Sequence, residues 1–102
     1  MQVIHQPRVA WDMARVIGGA VLDEELFAWL RHELGTLLGK PAEQALTESR
    51  DRVHRTGDAR LPVETGLWRV RIEDALRQRP DLGGELAALT AVAVGLLTAR
   101  RP

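Results

Sequence analysis

Trp-Arg-Val-Arg-Ile-Glu-Asp-Ala-Leu at residues 68–76 and Leu-Gly-Gly-Glu-Leu-Ala-Ala-Leu at 82–89, divided by Arg79-Pro80-Asp81, decide the fold of this chain. Trp68, Ile72, Ala75 and Leu76 recur at the spacing of one face of an α-helix. Pro80 cannot continue that helix, but it suits the first turn of the next, where a backbone donor is unpaired anyway. Asp81 adds a negative charge at the positive end of the second helix dipole. Leu82, Leu86, Leu89, Ala93 and Leu96 carry the second stripe. Helices joined so tightly are expected to lie antiparallel and face to face.

Upstream, Val9, Met13, Val16, Ile17, Ala20 and Val21 keep the helical period, and Phe27, Leu30, Leu34, Leu37 and Leu38 resume it. Gly18-Gly19 interrupts the run, and each Gly costs about 1 kcal/mol relative to Ala in a helix interior. Asp23, Glu24 and Glu25 have the makings of a capped, acidic first turn. Two readings stand: one helix over about 9–38 kinked near Gly18-Gly19, which is adopted, or two separate helices. Residues 1–7 read as an extended lead-in closed by Pro7. Gly39-Lys40-Pro41 ends the long segment. A thin-faced peripheral helix follows over about 42–56, with Ala42, Ala45, Leu46 and Val53 inward and Glu48–Arg52 and Asp51–Arg55 as i, i+4 pairs. The first helix of the hairpin is placed to begin between Val63 and Leu67. The expected architecture is all-α, a single domain over 1–102, built as a three- to four-helix up-and-down bundle.

At 102 residues with 45% hydrophobic and 27% charged composition, the chain is of ordinary globular make-up. It has no Cys, which excludes disulfides and thiolate metal sites. Fourteen basic residues balance fourteen acidic ones, so bulk attraction to nucleic acid or anionic lipid is not expected. Arginine is dense between 50 and 79, yet Glu48, Asp51, Asp58, Glu64, Glu73 and Asp74 are interleaved, and Glu73–Arg77 forms another helical pair. A nucleic-acid-associated, antitoxin-like regulator using these arginines is the alternative function.

No catalytic, cofactor or metal constellation emerges. His5, His32 and His54 are scattered, with no helical pair at metal spacing. Glu25, Trp29, His32 and Glu33 share a helix face and read as the rim of a bundle. Arg50 and His54 stand closer together than the Arg-spacer-His signature of the HEPN ribonucleases, and the central Trp-x-Gly turn of WXG-type hairpins is absent.

From Leu86 to Ala99 every residue is apolar, small or Thr. Fourteen residues are too few to span a bilayer, which needs about 20. A helix apolar all round is buried all round, and a terminal helix in so short a chain lacks partners to cover it. Val92, Val94 and Leu96 also alternate as in a strand, but the preceding Leu-Ala-Ala-Leu run favours helix. The function expected is protein–protein interaction: a homo-oligomer, or a small subunit docking on a larger protein. The residues expected to carry it are Trp11, which lies off its apolar stripe, with Leu89, Val92, Ala93, Gly95 and Leu96. The N-terminus has no long apolar core after a basic start, so cytoplasmic residence is expected.

The 68–76 and 80–89 segments resemble the C-terminal hairpin of small helical proteins common in G+C-rich bacteria, some encoded beside conflict or defence genes. The resemblance implies a helical fold and a genomic neighbourhood, with no site residues to carry over.

Overall fold

Alanine and glycine crowd the first helix, and that decides the packing. The computed structural model describes residues 6–100. Five helices follow in order: α1 Gln6–Ala20, α2 Glu24–Leu38, α3 Lys40–Thr56, α4 Leu61–Gln78 and α5 Gly83–Ala99, with short 3-10 turns at Asp58–Arg60 and Pro80–Leu82. No strand lies among the described residues, so the all-α class holds, with five helices rather than three or four. Residues 1–5 of the expected lead-in lie outside the described residues. Pro7 does not close a lead-in; it occupies the first turn of α1, where its missing N–H costs nothing.

The single kinked helix over 9–38 gives way to two. α1 runs straight through Gly18-Gly19 and stops at Ala20; the chain turns at Val21-Leu22 and restarts after Asp23. Asp23 has extended backbone and its Oδ1 accepts from the Leu26 N–H at 3.1 Å, which caps α2. The cap supplies the orphan donors of a new helix with an acceptor, and that outweighs the unbroken apolar phase. The two glycines serve close approach instead. A Cβ at Gly18 would come within 3.0 Å of Thr65 on α4, and one at Gly19 within 3.0 Å of Leu97 on α5.

α1 is therefore the centre of the fold. α4 and α5 both pack principally on α1 and touch each other little, so the two halves of the hairpin do not lie face to face. Ala10, Met13, Ala14, Val16, Ile17 and Ala20 are buried on several sides of α1. Against them stand Trp68, Ile72 and Leu76 of α4 and Leu86 and Ala93 of α5, all buried. Leu26, Phe27, Leu30 and Leu34 of α2 complete the same core cluster.

α3 is the outer helix and packs on α2, burying Ala42, Ala45, Leu46, Ser49 and Val53. Arg31 of α2 reaches across to Thr47 Oγ1 at 3.0 Å. Positive-φ glycines, Gly39 at 94° and Gly57 at 99°, bound α3 at both ends, where an L side chain would be strained. α4 begins at Leu61, earlier than the 63–67 expected, because Pro62 fits its first turn.

Replacing Trp68 by Ala should leave a core cavity and cost about 3–5 kcal/mol. Replacing Trp11, which is 38% exposed, should cost little. Denaturant midpoints for the two variants check this, and equal midpoints would contradict the assigned helix faces.

Candidate interaction surface

The terminal helix carries the largest mismatch between composition and burial. On α5, Leu86, Thr90 and Ala93 face the core and Leu89, Leu96 and Leu97 are partly buried against it. Gly84, Ala88, Ala91, Val92, Val94 and Gly95 are exposed, with Val92 at 54% and Val94 at 45%. Nothing lies within 4 Å of a Cβ built at Gly95, so that position is open. Of the six residues expected at an interface, Trp11, Val92 and Gly95 are thus accessible and Leu89 and Leu96 partly so. Ala93 is not: it is fully buried against the chain's own core. Its place on the Leu82–Leu86–Leu89 stripe turns it inward.

Counted with its 3-10 lead-in, the run Pro80–Ala99 has 20 residues and is long and apolar enough by length and composition to cross a membrane. Counting only from Leu86 gave fourteen. The helical run gains the turn through Pro80–Glu85, whose Asp81 and Glu85 are its only acids.

Trp11 stands on the outward ridge of α1 between two arginines, with the Arg15 guanidinium 4.9 Å and that of Arg69 5.5 Å from its ring. Cations over an indole face are held by the ring quadrupole. Beside it an open apolar groove of about 530 Å³ runs between α1 and α4, lined by Gly18, Leu22, Leu61 and Pro62 among others. The sequence reading overlooked the outer stripe of α4, where Val63, Leu67 and Val70 are each about half exposed. Their i, i+4, i+7 spacing, off the Trp68 stripe, was the signal.

Most of the 50–79 arginines are occupied within the chain. Glu64 is the organiser, with only 3% of its side chain exposed. Its carboxylate accepts from Arg52 Nε at 2.8 Å and Nη2 at 2.9 Å, from Arg60 Nε at 2.8 Å and from Ser49 Oγ at 2.7 Å. The Trp68 indole N–H donates to Ser49 Oγ at 2.8 Å, which ties the core tryptophan into the same network. Among the described residues no buried side-chain polar atom lacks a partner. The Arg52 hydrogen bonds, opposed by burial, hold Glu64 down at about 2. Sequence reading placed Glu64 among solvated acids; its position four residues before Trp68, in phase with Ile72 and Leu76, marks it as a core position.

Elsewhere Arg50 lies over Phe27 at 4.9 Å, Arg71 over Trp68 at 5.2 Å, Arg69 pairs with Glu73, Arg77 with Asp74 and Arg79 with Asp81. Glu48–Arg52 forms as expected at 3.9 Å. The expected Asp51–Arg55 and Glu73–Arg77 pairs do not form among the described residues; Arg50 and Arg69 take those acids instead. Arg100, at the end of α5, pairs with Asp23 and, at 3.5 Å, Glu25, which joins the last helix to the cap of α2. Asp23 titrates below the usual carboxylate range, chiefly through the Leu26 N–H and further through Arg100. No group of His, Asp and Glu placed to hold a metal ion occurs among the described residues.

These features define a small all-α protein with apolar helix faces turned outward and its charges largely paired internally. The chain is 37% identical over 71 residues to the uncharacterized protein YqjD of Escherichia coli K12, covering 70% of this chain and 68% of that protein. The same identity and coverage hold for the YqjD proteins of Escherichia coli O157:H7 and Shigella flexneri. The chain belongs to the YqjD family. These relatives are enterobacterial, so the grouping with G+C-rich bacteria finds no support in them. No protein-family model and no solved structure matches the chain.

Glu64→Gln should destabilise the fold by about 2–3 kcal/mol, since it removes the charge that Arg52 and Arg60 surround. The pH dependence carries the sign. A carboxylate depressed to about 2 from 4.5 stabilises the fold fully above pH 4.5, and that contribution, on the order of 3 kcal/mol, is lost as pH falls toward 2. Thermal midpoints between pH 6 and pH 2 should fall more steeply for the wild type than for Glu64→Gln; parallel curves would show that Glu64 is not the titrating group.

Proposed function

We propose that this protein is an assembly module whose α5 helix docks by its outer apolar face onto a second copy or a larger protein. The observation that carries the reading is α5 itself: apolar on every side, it covers only its inner side with its own chain, leaving Val92 and Val94 about half exposed. Burial of apolar area is the main drive for association, and contiguous exposed patches of this kind mark interaction surfaces. In this reading the five helices form an up-and-down bundle in the cytoplasm, and the arginines between 50 and 79 are structural. Their engagement with Glu64, Asp74 and Asp81 leaves few cations for phosphate, which weakens the case for an antitoxin-like regulator.

A second reading is favoured by one observation. The Pro80–Ala99 run reaches the length a bilayer requires, and Arg100 follows it as a polar anchor. Under that reading α5 leaves α1 and inserts, and the rest of the chain is held at the membrane surface.

Val92→Glu separates these readings from a merely structural α5. Val92 points to solvent, so the variant should keep its helix content and melting midpoint. Analytical ultracentrifugation should show the wild type above the mass of one chain and Val92→Glu at that mass. Flotation with uncharged phosphatidylcholine vesicles tests the second reading. Wild type that floats, and Val92→Glu that does not, would favour the bilayer over a protein partner. A wild type that is monomeric at micromolar concentration and stays with the soluble fraction would refute both.

A further inference from the structure

A second opening lies away from α5, between α3 and α4. These helices are joined at Glu64 by hydrogen bonds from Ser49 and Arg52, and they touch little elsewhere. Toward the start of α3 and the end of α4 two adjoining grooves open, about 580 and 200 Å³, which share Arg71, Ala75 and Gln78. The two differ in character. The smaller is walled by Leu37, Leu38, Ala42, Ala75 and Leu82, whereas the larger is lined by Ser49, Arg52 and Asp74 as well as apolar groups. Arg71 stands where the apolar groove meets the polar one.

Charge singles out the same residue. Of the other charged groups lining the grooves, Arg52 is held by Glu64 and Glu48, Asp74 by Arg77, and Arg79 by Asp81. Arg71 alone has no opposite charge within 4.0 Å among the described residues. Its guanidinium lies 5.2 Å from the centre of the Trp68 ring, whose residue is buried beneath it. The ring quadrupole attracts this cation without using its N–H donors, which stay available to a carboxylate.

Size narrows the occupant. From Arg71 to Arg79 the smaller groove follows α4 for eight residues, about 12 Å. An α-helix, about 10 Å across with its side chains, is too wide for a space of about 200 Å³. A single extended hydrocarbon chain fits it. Apolar walls with one well-placed polar group are the usual make-up of a small-molecule site.

We infer that this groove binds a small amphipathic carboxylate, with a medium-length acyl chain along Leu37, Leu38, Ala42 and Leu82 and its head group on Arg71. The inference goes beyond the docking role of α5 and uses no surface of that helix. It also gives the gap between α3 and α4 an occupant that bridges them.

The test is calorimetric titration of the full chain with octanoate below its micelle concentration, with amide chemical shifts to locate the site. Octanoate should bind one to one and shift Leu38, Ala75 and the Trp68 indole N–H. Octanol, which lacks the charge, should bind about tenfold more weakly or worse. Butyrate, with too short a chain to fill the groove, should lose about tenfold or more as well. Arg71→Gln should bind octanoate no better than the wild type binds octanol, and Arg71→Lys should fall between. Ala75→Leu should abolish binding by filling the groove. Arg71 is exposed, so its variants should keep the wild-type circular dichroism and melting midpoint. Octanol binding as tightly as octanoate, or Arg71→Gln binding unchanged, would overturn the carboxylate site. No binding at millimolar octanoate, or shifts confined to Val92 and Val94 of α5, would overturn the groove itself.

Discussion

The structure depends on how closely two helices can approach α1. Gly18 and Gly19 stand side by side and face different neighbours, one toward Thr65 of α4 and the other toward Leu97 of α5. With Ala10, Ala14 and Ala20 they give α1 a slender profile, so that helices pack on both flanks at short distance. The two glycines together cost about 2 kcal/mol of helix propensity. The offset is a buried interface on each side, worth about 25 cal/mol per Å² of apolar surface removed from water. A central helix that buries several sides needs side chains that are apolar throughout and small where neighbours crowd, and α1 has that composition.

Packing two helices onto one has a consequence for the last of them. α5 meets α1 and, less extensively, α2, and its remaining circumference faces out. In a larger domain another layer would cover it. In a chain of this length the surface left over is large relative to the core, and the excess apolar character falls on the terminal helix. That leftover apolar face is what the proposed association, with protein or with lipid, would use. Among the described residues the histidines are dispersed, and the deeply buried carboxylate of Glu64 is saturated by Ser49, Arg52 and Arg60.

The Glu64 network does for α3 and α4 what apolar contact does for the other helices. A carboxylate out of water is costly unless its oxygens are fully bonded and its charge is matched. Two arginines and a hydroxyl meet both conditions, and Trp68 Nε1 draws the core into the same set. The join is local, at one end of the two helices, and the opening below it follows from that.

Period and capping decided the helices. The 3.6-residue spacing of Trp68, Ile72 and Leu76, the break at Pro80 and the cap at Asp23 are local signals, and each corresponds to an element or boundary in the fold. The exposure of Trp11 and the buried stripe of α5 were legible for the same reason, since a helical period fixes which side chains share a face. What the period cannot give is the partner of each face. The hairpin helices lie apart because both pack on α1, which ends at Ala20, far upstream of Leu61 and Gly83 where they begin, and a stripe reads identically whichever helix it meets. Gly18-Gly19 carried the same ambiguity: a glycine pair weakens a helix locally, and only the neighbours at Thr65 and Leu97 turn it into a contact. Ala93 and Glu64 were misread in the same sense: one was expected at an outward interface and the other in water, and both are buried. Burial of a small residue or of a charge depends on what the tertiary structure brings beside it: the packed core for Ala93, and Ser49, Arg52 and Arg60 for Glu64.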